Sequence, residues 1–434
     1  MSRLRALWWH LSASLWFIPS LTVLGATVLA VALVELDGMH QLELAKRFPR
    51  LFGTGAEGAR GMLSAIASSM ITVAGVVFSV TIVALSLAAS QYSPRVLRSF
   101  MADRPTQAVL GVFVGVFAYC LVVLRTIRAG DEGFVPPLAV AGGIALAFVA
   151  IGFLVYFIHH LAASIQAAAI LERVSRGTRQ AIEALFPDEL GAEVDETADE
   201  AAEVQAGPWT PAPAAQSGYI VTVDNEGLLG FAREEGRVLR MELAVGEFAI
   251  RGQPIVSLHG NDAVREDALR RLSSLYALEG QRTIEQDAGF GLQQMVDVGL
   301  KALSPGINDQ STAVTCIDRL ADVVVLLARR RVERRLRRDD EALRVIALGP
   351  TFAGLVSLAF EDLRDAGGDK AAVLERLLWA LERVATATIN PQRRAVLAAQ
   401  VERIAECARR NLRAPHRREA VLARAARLTV GLQL

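Results

Sequence analysis

The stretch Met62–Ala89 reads MLSAIASSMITVAGVVFSVTIVALSLAA, without a single charged residue. A helix needs roughly 20 such residues to cross the hydrocarbon core of a bilayer, so this run is read as a membrane span. Three more runs have comparable character: Trp16–Val34, Ala108–Val123 and Pro137–Ile158. The third is short, and Arg125 at its end is placed to snorkel to the headgroups. The first run is too long for a signal peptide, lacks a clean small-residue cleavage site and is followed by three others, so it reads as a retained span. Trp8, Trp9, Trp16 and Phe17 fall where an interfacial aromatic belt belongs.

Within the opening stretch, Ser68, Thr72, Gly75, Ser79, Ser86 and, just beyond it, Ser90 recur at intervals of three, four and seven on one helical face. Small and hydroxyl side chains allow close helix approach and hydrogen bonding, which makes the stripe a packing seam. In an oligomer the same hydroxyls would line a pore. Gly111 and Gly115 form a GxxxG in the third run, a weaker packing signal. No Asp, Glu or Lys lies deep in any run, which disfavours a proton relay or a charge-coupled transporter.

An even number of spans puts both termini on one side. Arg3, Arg5, Arg95, Arg98, Arg104, Arg173, Arg176 and Arg179 flank that side, and Lys46, Arg47, Arg50, Arg60, Arg125 and Arg128 flank the other. The bias favours cytoplasmic termini and a cytoplasmic C-terminal region. The chain is 52% hydrophobic with a mean hydropathy of +0.34, and its formal net charge is zero, so no global field points to nucleic acid. Cys120, Cys316 and Cys407 form no CxxC pair and read as free thiols. No zinc-type spacing surrounds the six histidines, of which His159 and His160 alone are adjacent, so neither a metal nor a cofactor is expected.

After the fourth run, Leu161–Leu185 has helical spacing, broken by the acidic Pro187–Glu203 segment and by Pro208–Pro213, which read as a linker. Ser217–Leu258 contains short β-rich runs punctuated by Gly246, Gly252 and Pro254, around a short helix at Asn225–Arg233. Its VGEFAIRGQPIVSL hairpin looks like half of a biotinyl- or lipoyl-type barrel, but the segment has no lysine to carry the modification. Helical spacing then recurs over Asp262–Leu278, Phe290–Leu303, Gln310–Arg330, Glu341–Asp365, Lys370–Ile389 and Pro391–Arg413, as in a bundle. The expected fold is therefore four transmembrane helices plus a cytoplasmic α+β domain, with a small barrel-like sheet and a helical bundle. The divisions fall at 1–170 for the membrane domain, 171–216 for the extension and linker, 217–260 for the β domain and 261–434 for the helical domain.

Two polar features stand out in the second half. Asp287 sits where it would cap the helix from Phe290, Ser304-Pro305-Gly306 would end that helix through the proline and a positive-φ glycine, and Asn308 or Asp309 would cap the next. Arg282, Glu285, Asn308 and Asp318 remain, either as an Arg–carboxylate network pinning the connector or as the lining of a site for a small polar ligand or cation. No histidine accompanies them and no Ser or Cys has an identifiable base, so no enzyme is expected. The second feature is the basic run of Arg329, Arg330, Arg331, Arg334, Arg335, Arg337 and Arg338 at a helix end. It reads as a solvated face or as a contact for anionic lipid headgroups. Without interleaved aromatics it does not read as a nucleic-acid surface.

SSMITVAGVVFSVTIVALSLAASQYSPRVLRSFMADRPTQAVLGVFVGVFAYCLVVLRTIR (Ser68–Arg128) and RTIEQDAGFGLQQMVDVGLKALSPGINDQSTAVTCIDRL (Arg282–Leu320) resemble the bacterial predicted-membrane-protein family called domain of unknown function 2254. The resemblance runs over almost the whole chain, including SGYIVTVD and GEFAIRGQP; it departs at Gln310-Ser311, where a proline and an aromatic are expected. It implies a bacterial inner-membrane protein and no particular activity. The leading expectation is an oligomeric, channel-like or transport-associated protein in the lipid bilayer, gated or capped by its cytoplasmic domain. The alternative is a non-conducting membrane scaffold or ligand sensor.

Overall fold

The computed structural model describes residues 16–39, 55–91, 103–128, 134–164, 166–188, 207–260, 264–332, 336–339 and 342–433. It comprises two compact units, Met1–Gln166 and Ala167–Leu434.

The first unit contains α1 (Phe17–Met39), α2 (Ala56–Gln91), α3 (Arg104–Thr126) and α4 (Pro137–Ser164). All four are long and apolar enough to cross a membrane. The third span is not short: Asp103 accepts from the Thr106 amide and a proline opens the helix, so α3 runs 23 residues, about 34 Å at 1.5 Å per residue. Over its most apolar 18 residues α3 is half buried inside the unit, against 11% for α1 and 22% for α4, which makes α3 the central helix. The glycines account for its fit. A Cβ on Gly111 would meet Thr22 Oγ1 at 2.8 Å and Pro19 Cα at 3.2 Å, so the GxxxG is the surface on which α1 lies. Tyr119 of α3 is fully buried and donates to the Ala139 carbonyl at 2.7 Å. The Asp37 carboxylate, at the end of α1, accepts from the Leu138 and Ala139 amides at 3.0 and 3.1 Å and so caps α4 from another helix. Arg60 donates to the Ile127 carbonyl at 2.6 Å, closing the end of α3. Phe148, Val155 and Leu24 are exposed outward, as lipid-facing positions require.

The second unit begins with α5 (Ala167–Leu185), and its described residues include eight strands in two open sheets. These are β1 (Trp209–Pro213), β2 (Gly218–Val223), β3 (Leu239–Met241), β4 (Phe248–Ala249), β5 (Pro254–His259), β6 (Tyr276–Glu279), β7 (Leu336–Asp339) and β8 (Ala342–Ile346). The five-stranded order is β1-β5-β3-β8-β7, with β3–β8 parallel, and the three-stranded order is β4-β2-β6. The expected barrel-like closure is therefore corrected. VGEFAIRGQPIVSL divides between the two sheets, β4 pairing with β2 and β5 with β1 and β3, and neither sheet closes.

Further corrections follow from these pairings. Of the expected linker, Trp209–Pro213 is an edge strand; prolines are tolerated there because an outer strand has amides facing away from the ladder. The expected helix Asp262–Leu278 covers only α7 (Glu266–Ser273), because Tyr276–Glu279 pairs with β2. The expected helix Glu341–Asp365 begins as β8 and restarts as α10 (Phe352–Ala366) after Gly349-Pro350, with Thr351 capping Gly354. The short helix α6 (Asn225–Glu235) forms, capped by Asp224 and ended by Gly236 at φ 63°. The remaining helices are α8 (Ala288–Leu303), α9 (Gln310–Arg329), α11 (Ala371–Ala385), α12 (Pro391–Asn411) and α13 (Pro415–Gln433), the last not anticipated. Helix α5 packs on α8 and α9, and Gly291 permits the approach, since a Cβ there would lie 2.0 Å from Thr178 Oγ1.

Candidate functional site

The polar constellation read at 282–318 separates into three places. At the start of α8, the Arg282 guanidinium donates to Asp287 Oδ2, with Nε at 2.8 Å and the nearer terminal nitrogen at 2.6 Å, and lies over the Phe290 ring. Asp287 also accepts from the Phe290 amide at 2.9 Å. Burial pushes its carboxyl above the ordinary value, against the lowering influence of Arg282 and the helix amides. Gly246, at φ +91°, seats the pair: a Cβ there would come within 2.4 Å of Asp287 Oδ2. Gln286 accepts from the Val223 amide at 3.0 Å. The segment thus ties α8 to the strands, while Glu285 is exposed beside it.

At the far end of α8, Asp309 caps α9 through the Thr312 amide at 3.1 Å and both the Ser311 and Thr312 hydroxyls at 2.6 Å. Those hydrogen bonds bring its carboxyl down to about 2. The positive φ expected at Gly306 belongs instead to Asn308, at 49°. Asp318 lies within α9 and pairs with Arg376 of α11, whose guanidinium sits 3.9 Å over the Trp379 ring. The single network of Arg282, Glu285, Asn308 and Asp318 is corrected accordingly. Sixteen residues of α8, about 24 Å of helix, separate Asp287 from the Asn308 turn.

The stripe on α2 is also differently placed. Leu63, Ala67, Met70, Ala74, Val77 and Ala84 form the buried face. Ser68, Thr72, Gly75, Ser79 and Ser86 are exposed on the opposite side, and nothing lies within 4 Å of a Cβ built on Gly75. The Ser90 side chain lies outside the described residues. The stripe is therefore not a seam within the unit. The Thr72 hydroxyl donates to the Ser68 carbonyl at 2.8 Å, so this group requires no water.

The basic run does not continue as a helix. Arg329 ends α9, where a cation suits the helix dipole, and Arg330 donates to the Pro187 carbonyl at 2.7 Å. The Arg331 amide donates to the Asp188 carbonyl at 2.8 Å. Arg337 and Arg338 lie on β7, the outer strand of the five-stranded sheet, where charge discourages edge-to-edge pairing. Arg334 and Arg335, like Trp8, Trp9 and the acidic run from 189 to 203, lie outside the described residues.

One cluster was missed from the sequence. Asp103 Oδ2 lies 2.8 Å from His160 Nε2 and accepts from the Thr106 hydroxyl at 2.7 Å, and Ser164 Oγ lies 3.3 Å from the same His160 nitrogen. A Ser–His–Asp relay needs the carboxylate and the hydroxyl on different ring nitrogens. Here both face Nε2, so the cluster ties α3 to α4. Asp103-Arg-Pro is a recognisable helix start, but nothing local connects it to a histidine 57 residues away.

Asn308 and Gln310 also line an open cleft of about 700 Å³, shared with Asp369, Lys370, Arg413 and Arg417.

A family model described as Predicted membrane protein (DUF2254) matches residues 12–383. The chain is similar to an uncharacterised protein of Mycobacterium tuberculosis (strain CDC 1551) and to one of Mycobacterium bovis. Each is 32% identical over 440 residues, covering 99% of this chain and 82% of the relative. No solved structure matches it.

Proposed function

The chain belongs to the DUF2254 family of predicted membrane proteins, and on that premise we propose that it works as a self-associated assembly in the bacterial inner membrane, of channel-like or transport-associated rather than enzymatic type. The observation that carries this reading is the outward stripe of α2. Five small or hydroxyl side chains are presented on the face opposite the core, where lipid-facing positions on α4 carry Phe148 and Val155. Small residues gain nothing from lipid contact beyond what a large apolar chain gains. Against a second helix they allow close backbone approach. In this reading both termini and the second unit face the cytoplasm, the second unit acts as regulator and the arginine run of 329–338 meets anionic headgroups; the charge bias of the segments flanking the spans supports it. Buried, unpaired Cys120, Cys316 and Cys407 suit a reducing compartment.

Disulfide crosslinking in native membranes tests the seam. Ser79→Cys is expected to give a covalent dimer, whereas Val155→Cys, equally accessible to lipid on α4, is not. Equal crosslinking at the two positions refutes a specific seam. Reconstituted protein that passes neither ions nor small solutes, with Ser79→Leu leaving the assembly unchanged, removes the channel reading as well.

A second reading, a non-conducting membrane-anchored scaffold or ligand sensor, is favoured by the polar cleft beside Asn308.

A further inference from the structure

The cleft beside Asn308 is formed where four chain segments meet: the turn before α9, the start of α11, the end of α12 and the start of α13. Its charge is one-sided. Lys370, Arg410, Arg413 and Arg417 line it against a single carboxylate, Asp369. Lys370 is occupied by Asp369 at 2.8 Å, and Arg410 pairs with Glu406. Among the described residues no salt bridge engages Arg413 or Arg417. The Lys370 hydrogen bond, helped by the charge of Lys370 and in smaller part by that of Arg413, holds the Asp369 carboxyl below its ordinary value against the effect of burial.

The helix ends add to this excess. The start of a helix carries partial positive charge on unpaired amides, and acidic or capping side chains normally answer it. Here α11 has Lys370 at its N-cap position with no side-chain cap hydrogen bond. The first turn of α13 carries His416, Arg417 and Arg418 and no acid. Cations at two converging positive helix ends raise the energy of the empty cleft. Sequences that break a local rule without local compensation tend to do so at functional positions. A bound anion removes the conflict at both ends.

We propose that this cleft is a binding site for a phosphate-bearing anion, held by Lys370, Arg413 and Arg417 with the amide ends of α11 and α13. Arginine forks match phosphate oxygens two at a time, and helix starts supply further N–H donors. The volume, about 700 Å³, suits a small molecule rather than a lone ion. None of the lining side chains is aromatic, so no platform exists on which a base would stack. Asn308 and Gln310 offer neutral amides for hydroxyls, which points to a sugar phosphate or inorganic polyphosphate, or to the phosphate of a lipid headgroup. The proposal deepens the sensor reading above. The crosslinking and flux experiments succeed or fail independently of it.

The test is calorimetry on the full chain in nanodiscs of phosphatidylcholine, titrated with inorganic tripolyphosphate. Beside it, the thermal midpoint is compared in nanodiscs with and without phosphatidylglycerol. Tripolyphosphate binding that is weakened roughly tenfold or more by Arg413→Gln with Arg417→Gln supports the site with a soluble phosphate as its source. A midpoint raised by phosphatidylglycerol in the native chain, and not in that double variant, supports it with a headgroup as its source. Lys370→Asn supplies the missing cap. The ligand-free midpoint is expected to hold or rise while the anion response falls, which a merely structural lysine would not produce. The absence of both responses in the native chain, or responses that the double variant leaves unchanged, overturns the proposal. So does a Lys370→Asn chain that is less stable without ligand yet keeps the full response.

Discussion

Arg393 offers a sharp test of how the second unit is held together. It lies in the first turn of α12 and is 1% exposed. One terminal nitrogen donates to the carbonyls of Leu327 and Ala328 at 3.1 and 3.0 Å, and the guanidinium lies 4.7 Å over the Phe352 ring. Its charge therefore meets the negative end of the α9 dipole. Arg393→Met keeps the apolar stem and removes the donor. Two buried carbonyls left without this partner cost about 1–1.5 kcal/mol each, and the lost ring contact adds about 1 kcal/mol. Releasing the desolvated charge offsets part of this, leaving a loss of about 3 kcal/mol. For a unit of this size each kcal/mol moves the midpoint by roughly 2–4 °C, so a fall of about 6–12 °C is expected by scanning calorimetry of the full chain in detergent. The neighbouring Arg394 is only half-buried and donates to the Gly431 and Leu432 carbonyls at the end of α13. Arg394→Met should cost under about 1 kcal/mol. A shift for Arg393→Met no larger than that for Arg394→Met would mean that the buried guanidinium does not hold α12 to the end of α9.

Three further outcomes are expected. Gly291→Ala should lower the midpoint of the second unit, because its Cβ would fall 2.0 Å from Thr178 Oγ1, and Thr178→Ala should restore part of the loss. Gly111→Val should separate α1 from α3, since the site is closed by Pro19 backbone as well as by Thr22; a loss of folded, monodisperse protein in detergent chromatography checks it. The Asp309 carboxyl, depressed to about 2, contributes stability that is fully present above the ordinary carboxylate value and is lost as pH falls through about 2. Asp309→Asn, which keeps a cap without titrating, should flatten the midpoint between about pH 4 and pH 2 relative to the native chain.

Much of the first unit was legible in the sequence, because long uncharged runs admit one reading in lipid. The GxxxG on α3 also found its partner in α1. The α2 stripe was recognised but not its direction: periodicity identifies a face, and only the neighbours decide whether that face turns inward. In the second unit the caps at Asp287 and Asp309 were visible because each acts within three residues. β6 and β8 were misread as helix. Both are short apolar runs whose strand character comes from distant partners, β2 and β3, though Gly349-Pro350-Thr351 marked a break after β8. The supposed network failed for a related reason. Closeness in sequence was taken for closeness in space, across a helix long enough to hold its ends apart. The Asp103–His160 tie and the cleft at Asn308 join residues tens of positions apart, and no local pattern announces them.

The parallel pairing of β3 with β8 has a consequence for how the chain matures. Leu239 and Arg240 find Val345 and Ile346 across more than a hundred residues. At the ribosome, β1, β3 and β5 are therefore made long before the strand that covers one side of β3 exists. Until residue 346 emerges, that side of the sheet presents an open edge to the surroundings, the state in which strands recruit the wrong partner. No cut between residues 260 and 342 can yield a self-sufficient β module, and a fragment ending there is expected to aggregate when expressed alone.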